Sequence, residues 1–291
     1  MKKLVLKFIQ KLIASNIYFI FIYKKLTFFF FNKNKLVYNF LYRLKPSEEI
    51  FIGSKNRYIN SEFKGFKYIY DLSQVSCNWH FFGINLRHDV YKSIHNDLIN
   101  SKIVFDIGSN YGFFSLETLR LNSKCKIYAF EPNLKNFEYT KKNILKNNIL
   151  NIKQYNLGFY SSNKDLYENS PNPMNSGMIN YTENKESREN IHKSKFITGD
   201  EFIKKENLYD QNIDVIKIDV EGSEYNVLLG MKQYLAKSNS VLHIEIDHEN
   251  LKKYNASFEK ILILLKECGY IFFKKLNQDL YHYDMICKKK D

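Results

Sequence analysis

The stretch IDVIKIDVEGSEYNVLLG, Ile213 to Gly230, sets Lys217, Asp219 and Glu221 at every second position of an apolar run. Alternate residues of a strand share a face, so the three charges project together. A lone ion in an apolar sheet is costly unless it is paired or reaches water. A packing role alone is therefore strained, and two readings stay open. In one, Asp219 or Glu221 sits at a strand end and draws a proton from a substrate hydroxyl, with His248 and His243 as further candidates. In the other, the charges form a structural ion-pair network in which Asp219 or Glu245 holds Lys217.

A second group of residues suits a ribose-bearing ligand. SKIVFDIGSNYGFFSLETLRL passes from a β-branched segment, Ile103 to Ile107, through Gly108 and Gly112 into a helical pattern. Glycines let backbone approach a ligand, and a helix start offers it free N–H groups. The spacing is G-x-x-x-G, preceded by Asp106 and spanning Asn110, and not the G-x-G-x-x-G of dinucleotide enzymes. That disfavours a nicotinamide oxidoreductase. The next strand pattern, KIYAFEPN, ends in Glu131, nineteen residues beyond Gly112, where doubly wound sheets place the acid that binds ribose hydroxyls. Pro132 cannot continue the ladder and leaves that carboxylate at the C-terminal edge. The candidate cofactor-binding residues are Asp106, Gly108, Asn110, Gly112, Glu131, Pro132, Asn133 and Asn156. Glu245, Asp247, His248 and Glu249 form an acidic-histidine cluster without diagnostic ligand spacing, and no metal site is assigned to it.

The elements that must position these residues alternate. A helical pattern occupies LKNFEYTKKNILKNN, a third strand NIKQYNLGF, and a polar stretch at 168–195 with Pro171, Pro173 and Gly177 reads as an irregular insertion. Val215 to Val220 is the fourth strand, Glu224 to Leu235 a helix, and SVLHIEID the fifth strand. SFEKILILLKECGY gives another helix, and YIFFKK with LYHYDMICK a terminal hairpin. Repeated β-α units predict an α/β, doubly wound, mostly parallel sheet.

The combination of VFDIGSNYGFFSL, IYAFEPN and IDVIKIDVEGSEYNVLLGM resembles the FkbM-type S-adenosylmethionine-dependent methyltransferases over roughly Asp71 to Cys287. The D-x-G-x-N-x-G loop is shared by many methyltransferases, whereas its pairing with K-I-D-V-E-G-x-E is specific. The resemblance implies a Rossmann-like methyltransferase fold, seven-stranded with an antiparallel last strand. It also implies S-adenosylmethionine as cofactor and O-methylation of a hydroxyl on a sugar, glycan or other small molecule. Two positions depart from the pattern: Ser109 stands where alanine is usual, and ITGDEFI replaces a T-L-D, with Asp200 at the aspartate. The alternative is a membrane-associated Rossmann-like nucleotide-binding protein or oxidoreductase without methyl transfer.

The net charge of +13 is not spread evenly. Ten Lys and Arg lie between Met1 and Lys45 with no acid among them, and the first acid is Glu48, so only +3 remains for the rest of the chain. Such a local excess gives no nucleic-acid signature, and no nucleic-acid partner is expected. KKLVLKFIQKLIA reads as a basic amphipathic helix, with Lys3, Lys7 and Lys11 four apart. The twelve uncharged residues Leu12 to Tyr23 would cover about 18 Å as a helix, short of the roughly 30 Å hydrocarbon core. Peripheral membrane contact through residues 1–31 is the expectation set against a helix packed on its own domain, and no small-x-small cleavage site succeeds the apolar stretch. The expected organisation is a basic helical segment 1–45, a lead-in 46–100 on the substrate side, and a cofactor-binding domain 101–291. Four scattered cysteines, Cys77, Cys125, Cys268 and Cys287, suit a reducing cytoplasm. Oligomeric state has no signature in the sequence.

Overall fold

The computed structural model describes residues 2–31, 33–82, 94–172, 174–183, 192–276 and 281–289. The chain forms two compact units, 1–87 with 172–177, and 88–171 with 178–291.

The first unit starts with α1 (Lys2–Ser15) and α2 (Ile17–Phe31), which meet at a bend of 111°. α3 (Lys35–Leu44) is next, its first turn capped by the Asn34 side chain, which accepts the Val37 N–H at 3.1 Å. A hairpin joins β1 (Tyr58–Phe63) to β2 (Phe66–Asp71) through Lys64 and Gly65, both left-handed as a two-residue turn requires. α4 (Val75–Phe81) closes the unit. Segment 172–177 returns to it, where the Val75 N–H donates to the Met174 carbonyl at 2.8 Å. Residues on both sides of position 45 share this unit. Tyr23 packs 5.4 Å from Phe82, and the Lys24 ammonium donates to Ser61 Oγ at 2.8 Å while lying 4.3 Å from the Phe81 ring centroid. The short helix α5 (His95–Ile99) belongs to the second unit and is tied to its C-terminal strand: Lys288 Nζ is 2.9 Å from Asp97 Oδ1.

The second unit repeats strand and helix: β3 (Ile103–Ile107), α6 (Phe113–Leu121), β4 (Lys126–Phe130), α7 (Leu134–Lys146), β5 (Ile152–Tyr155). A small second sheet succeeds them, made of β6 (Gly158–Phe159), β7 (Lys164–Asn169), β8 (Asn180–Thr182) and β9 (Lys193–Ile197). Then come α8 (Gly199–Lys205), β10 (Val215–Ile218), α9 (Glu224–Gly230), α10 (Lys232–Lys237), β11 (Val241–Asp247), α11 (His248–Lys253), α12 (Phe258–Glu267), β12 (Tyr270–Leu276) and β13 (His282–Lys289). Among the described residues the central sheet has seven strands in the order β12-β13-β11-β10-β3-β4-β5, all parallel except β13, which runs against both neighbours. This is the expected doubly wound α/β fold with its antiparallel last strand. Every residue of β3 and β10 is buried, as helices on both faces require.

Three local expectations change. NIKQYNLGF splits, its first half entering the central sheet and Gly158–Phe159 pairing with β9 instead. The stretch expected to be irregular contributes β8 and β9, and residues 173 and 184–191 lie outside the described set. The single helix expected from Glu224 to Leu235 is two, and the Asp200 carboxylate caps the second by accepting the Gln233 and Tyr234 N–H groups at 3.0 and 2.8 Å.

Candidate active site

Parallel register explains the charged strand. Lys217 on β10 lies opposite Asp106 on β3 and His243 on β11, so the three project from one face at one level. Lys217 Nζ is 3.3 Å from Asp106 Oδ1 and 3.2 Å from Asp219 Oδ2, and it donates to the Gly108 carbonyl at 3.0 Å. Burial works against this ammonium, but the two carboxylates outweigh it and hold its pKa above the ordinary value. Burial likewise opposes the Asp219 charge, and Lys217 overcomes it, holding that carboxyl below the usual range. Asp106 is fully buried and also accepts the Ser115 hydroxyl at 2.6 Å. It therefore anchors the floor beneath the loop.

The loop from β3 to α6 turns through left-handed backbone at Gly108, Asn110 and Gly112. A Cβ on Gly108 would land on the Asp219 carbonyl oxygen, and one on Gly112 on Thr140 Cγ2. The glycines are thus required by close packing of loop on strand and helix, a reason distinct from the ligand approach expected of them. Thr140 Oγ1 donates to the Asn110 carbonyl at 2.9 Å and fixes the turn. The Ser109 hydroxyl is buried without a hydrogen-bond partner among the described residues.

Glu131 stands at the end of β4, as expected. Its Oε2 accepts the Asn110 N–H at 2.7 Å and its Oε1 the Asn133 N–H at 3.0 Å. Burial pushes its pKa up to about 7 against these bonds. The Asn133 side chain caps α7 by accepting the Asn136 N–H at 2.9 Å and donates to Glu168 Oε2 at 2.6 Å. Asn156 donates to the carbonyls of Glu131 and Pro132 at 2.9 and 3.1 Å, so it fastens the strand exit.

At the ends of β10 and β11, carboxylate oxygens of Asp219, Glu221 and Glu245 lie within 4.8 Å of one another. Three oxygens at that spacing can share a divalent cation or, in its place, protons. Glu221 is left-handed and accepts the Asn250 side-chain amide at 2.9 Å; burial, then Glu245 and Asp219, push its pKa well up. Burial and the Asp219 charge do the same to Glu245, which meets His282 Nε2 at 2.9 Å. That bond raises His282 to about 9, so the Glu245–His282 pair retains a proton through neutral pH. His248 makes different contacts: its ring lies 5.8 Å from Tyr283 and 5.9 Å from Phe258, and it is not in the carboxylate group. His243 Nε2 is 3.3 Å from Asp284 Oδ1. His282 and Asp284 belong to no motif, although their alternation in LYHYDMICK is a signal that they share a face.

Residues 106–272, more than half of the chain, match the Methyltransferase FkbM domain. The chain belongs to this family. It is a methyltransferase. The FkbM chain is 27% identical over 199 residues to the hexuronic acid methyltransferase AglP of Haloferax volcanii, covering 66% of this chain and 77% of that protein. It is 29% identical over 177 residues to methyltransferase sdnD of Sordaria araneosa, covering 50% and 68%. A solved FkbM methyltransferase from Methylobacillus flagellatus aligns at 16% identity with a TM-score of 0.42, covering 86% of this chain and 53% of that one.

The residues fit S-adenosylmethionine as cofactor. The Glu131 carboxylate keeps acceptor capacity beyond its bonds from Asn110, Asn133 and Asn136 and can take a ribose hydroxyl, and Ser109 holds an unspent hydroxyl in the same loop region. The acidic group of Asp219, Glu221 and Glu245 lies at the carboxyl ends of the strands, where open α/β sheets bind ligands.

Proposed function

We propose that this FkbM methyltransferase methylates a hydroxyl oxygen of a sugar or other small molecule, with S-adenosylmethionine as donor. The observation that carries the reading is the Asp219–Glu221–Glu245 group, in which the Lys217 ammonium lies 3.2 Å from Asp219 and holds its carboxyl below the usual range while burial and mutual repulsion push its neighbours up. S-adenosylmethionine supplies an electrophilic methyl group. Asp219 takes the proton of the acceptor hydroxyl, which is a poor nucleophile while it keeps it. Lys217 keeps Asp219 ionised and oriented, and Glu131 with the Gly108–Gly112 loop positions the donor. The sugar acceptor is supported by the likeness to a hexuronic acid methyltransferase. Four scattered, buried cysteines support a cytoplasmic location.

The test is calorimetric titration of the full chain with S-adenosylmethionine and with NAD, then transfer of labelled methyl to a panel of glycosides. Donor binding with label on a hydroxyl oxygen supports the reading. Binding of NAD alone, or label on nitrogen or carbon, overturns it.

A further inference from the structure

The helices of the first unit carry apolar surface that their own packing does not use. On α2, Ile20, Tyr23, Lys24 and Thr27 are buried, whereas Tyr18, Phe19, Ile22, Leu26 and Phe29 are exposed. At 3.6 residues per turn these sets occupy opposite faces, so the exposed stripe is surplus to folding. α1 repeats the pattern with Leu4, Val5, Phe8 and Leu12, Phe8 being 68% exposed, and α3 with Leu36 and Phe40. Lys7 and Lys11 stand three residues beyond Leu4 and Phe8 and border the same stripe. Residues 1–45 hold ten cations and no acid. Among the described residues no single helix is long and apolar enough to cross a membrane, and the α1–α2 pair is bent by 111°.

We infer that the exposed faces of α1, α2 and α3 dock on an anionic lipid surface, the apolar stripes entering the headgroup boundary and the lysines meeting lipid phosphates. Charge selects this occupant: a second copy would set like charges against like, while an anionic bilayer complements both the apolar and the cationic parts of the surface.

The 291-residue chain is co-sedimented with vesicles of phosphatidylcholine and phosphatidylglycerol, and with phosphatidylcholine alone. Binding to the mixed vesicles, weakened by added salt, supports the inference. Phe8→Glu with Phe19→Glu, both at exposed positions, lowers partitioning at least about tenfold, and Lys7→Gln with Lys11→Gln lowers it about fivefold per lysine. Thermal melts verify that each variant is folded, and the lysine pair with the salt titration suffices if the glutamate pair is not. Absence of sedimentation, equal binding to neutral vesicles, or retention through a carbonate wash overturns it. So does a dimer in light scattering that the glutamate variants abolish, since the surface then serves self-association.

Discussion

Lys217 and Asp106 stand opposite each other on adjacent parallel strands, Nζ 3.3 Å from Oδ1, and Asp219 reaches the same ammonium from two residues further along. The two carboxylates differ in access: the Asp106 side chain is fully buried and that of Asp219 is 37% exposed.

That difference separates chemistry from stability. Asp219→Asn leaves Lys217 its buried partner and costs about 1 kcal/mol or less in folding, the worth of a part-exposed pair. Turnover falls roughly 10²- to 10⁴-fold if Asp219 takes the acceptor proton. Lys217→Met strands two carboxylates and costs about 3 to 5 kcal/mol. Melts and single-turnover rates on both variants check this; a melting temperature that collapses in Asp219→Asn would remove the catalytic assignment.

Burial raises Glu224 to about 7 from an ordinary 4.5, although it accepts the Val220 and Gly222 N–H groups. The folded chain then binds this proton more tightly than the unfolded chain. Its contribution is complete below pH 4.5 and lost as pH rises through about 7. Asp219 and Asp71, both lowered, run the other way and lose theirs as pH falls. Glu224→Gln cannot ionise, so its melting temperature relative to the parent rises between about pH 5 and pH 8. An equal offset at both pH values would refute the account.

Gly112→Ala forces a left-handed alanine against Thr140 and costs at least about 1 to 2 kcal/mol. Thr140→Ser removes the clashing methyl and keeps the hydroxyl that binds Asn110. The double variant recovers part of the loss in a denaturant cycle, and strict additivity would show that the methyl is irrelevant.

Glu131→Gln keeps one oxygen for the Asn110 or the Asn133 N–H, sets an NH2 group against the other, and removes the charge. Donor affinity falls by about 1.5 to 3 kcal/mol, the worth of hydrogen bonds to a charged group. Calorimetry reads it, and unchanged affinity in a folded variant would take Glu131 out of the donor site.

The strands that carry the site are legible in the sequence because they are buried on both faces: Ile103–Ile107 and Val215–Ile218 are unbroken apolar runs apart from the charges that act. Pro132 marks the end of the second strand and so the place of Glu131. The buried partner of Lys217 is not legible, since Asp106 lies 111 positions away and only register brings it alongside. β7 and β8 are hidden because they are polar and part-exposed with no apolar alternation to read, and β9 because Lys193, Ser194 and Lys195 precede its two apolar residues. The β1–β2 hairpin does carry a signal, Lys64-Gly65 between Phe63 and Phe66, but one too short to stand out among the surrounding aromatics.

The return of residues 172–177 to the first unit orders events during synthesis. Chains generally mature from the N-terminus as they leave the ribosome. Here the first unit cannot finish when residue 87 emerges, because Val75 awaits the carbonyl of Met174. By the time Met174 appears, β3, β4 and β5 of the second unit are already out, so the nascent chain must hold one half-built body while it starts another. A fragment ending near residue 90 therefore lacks a piece of the body it was cut to isolate.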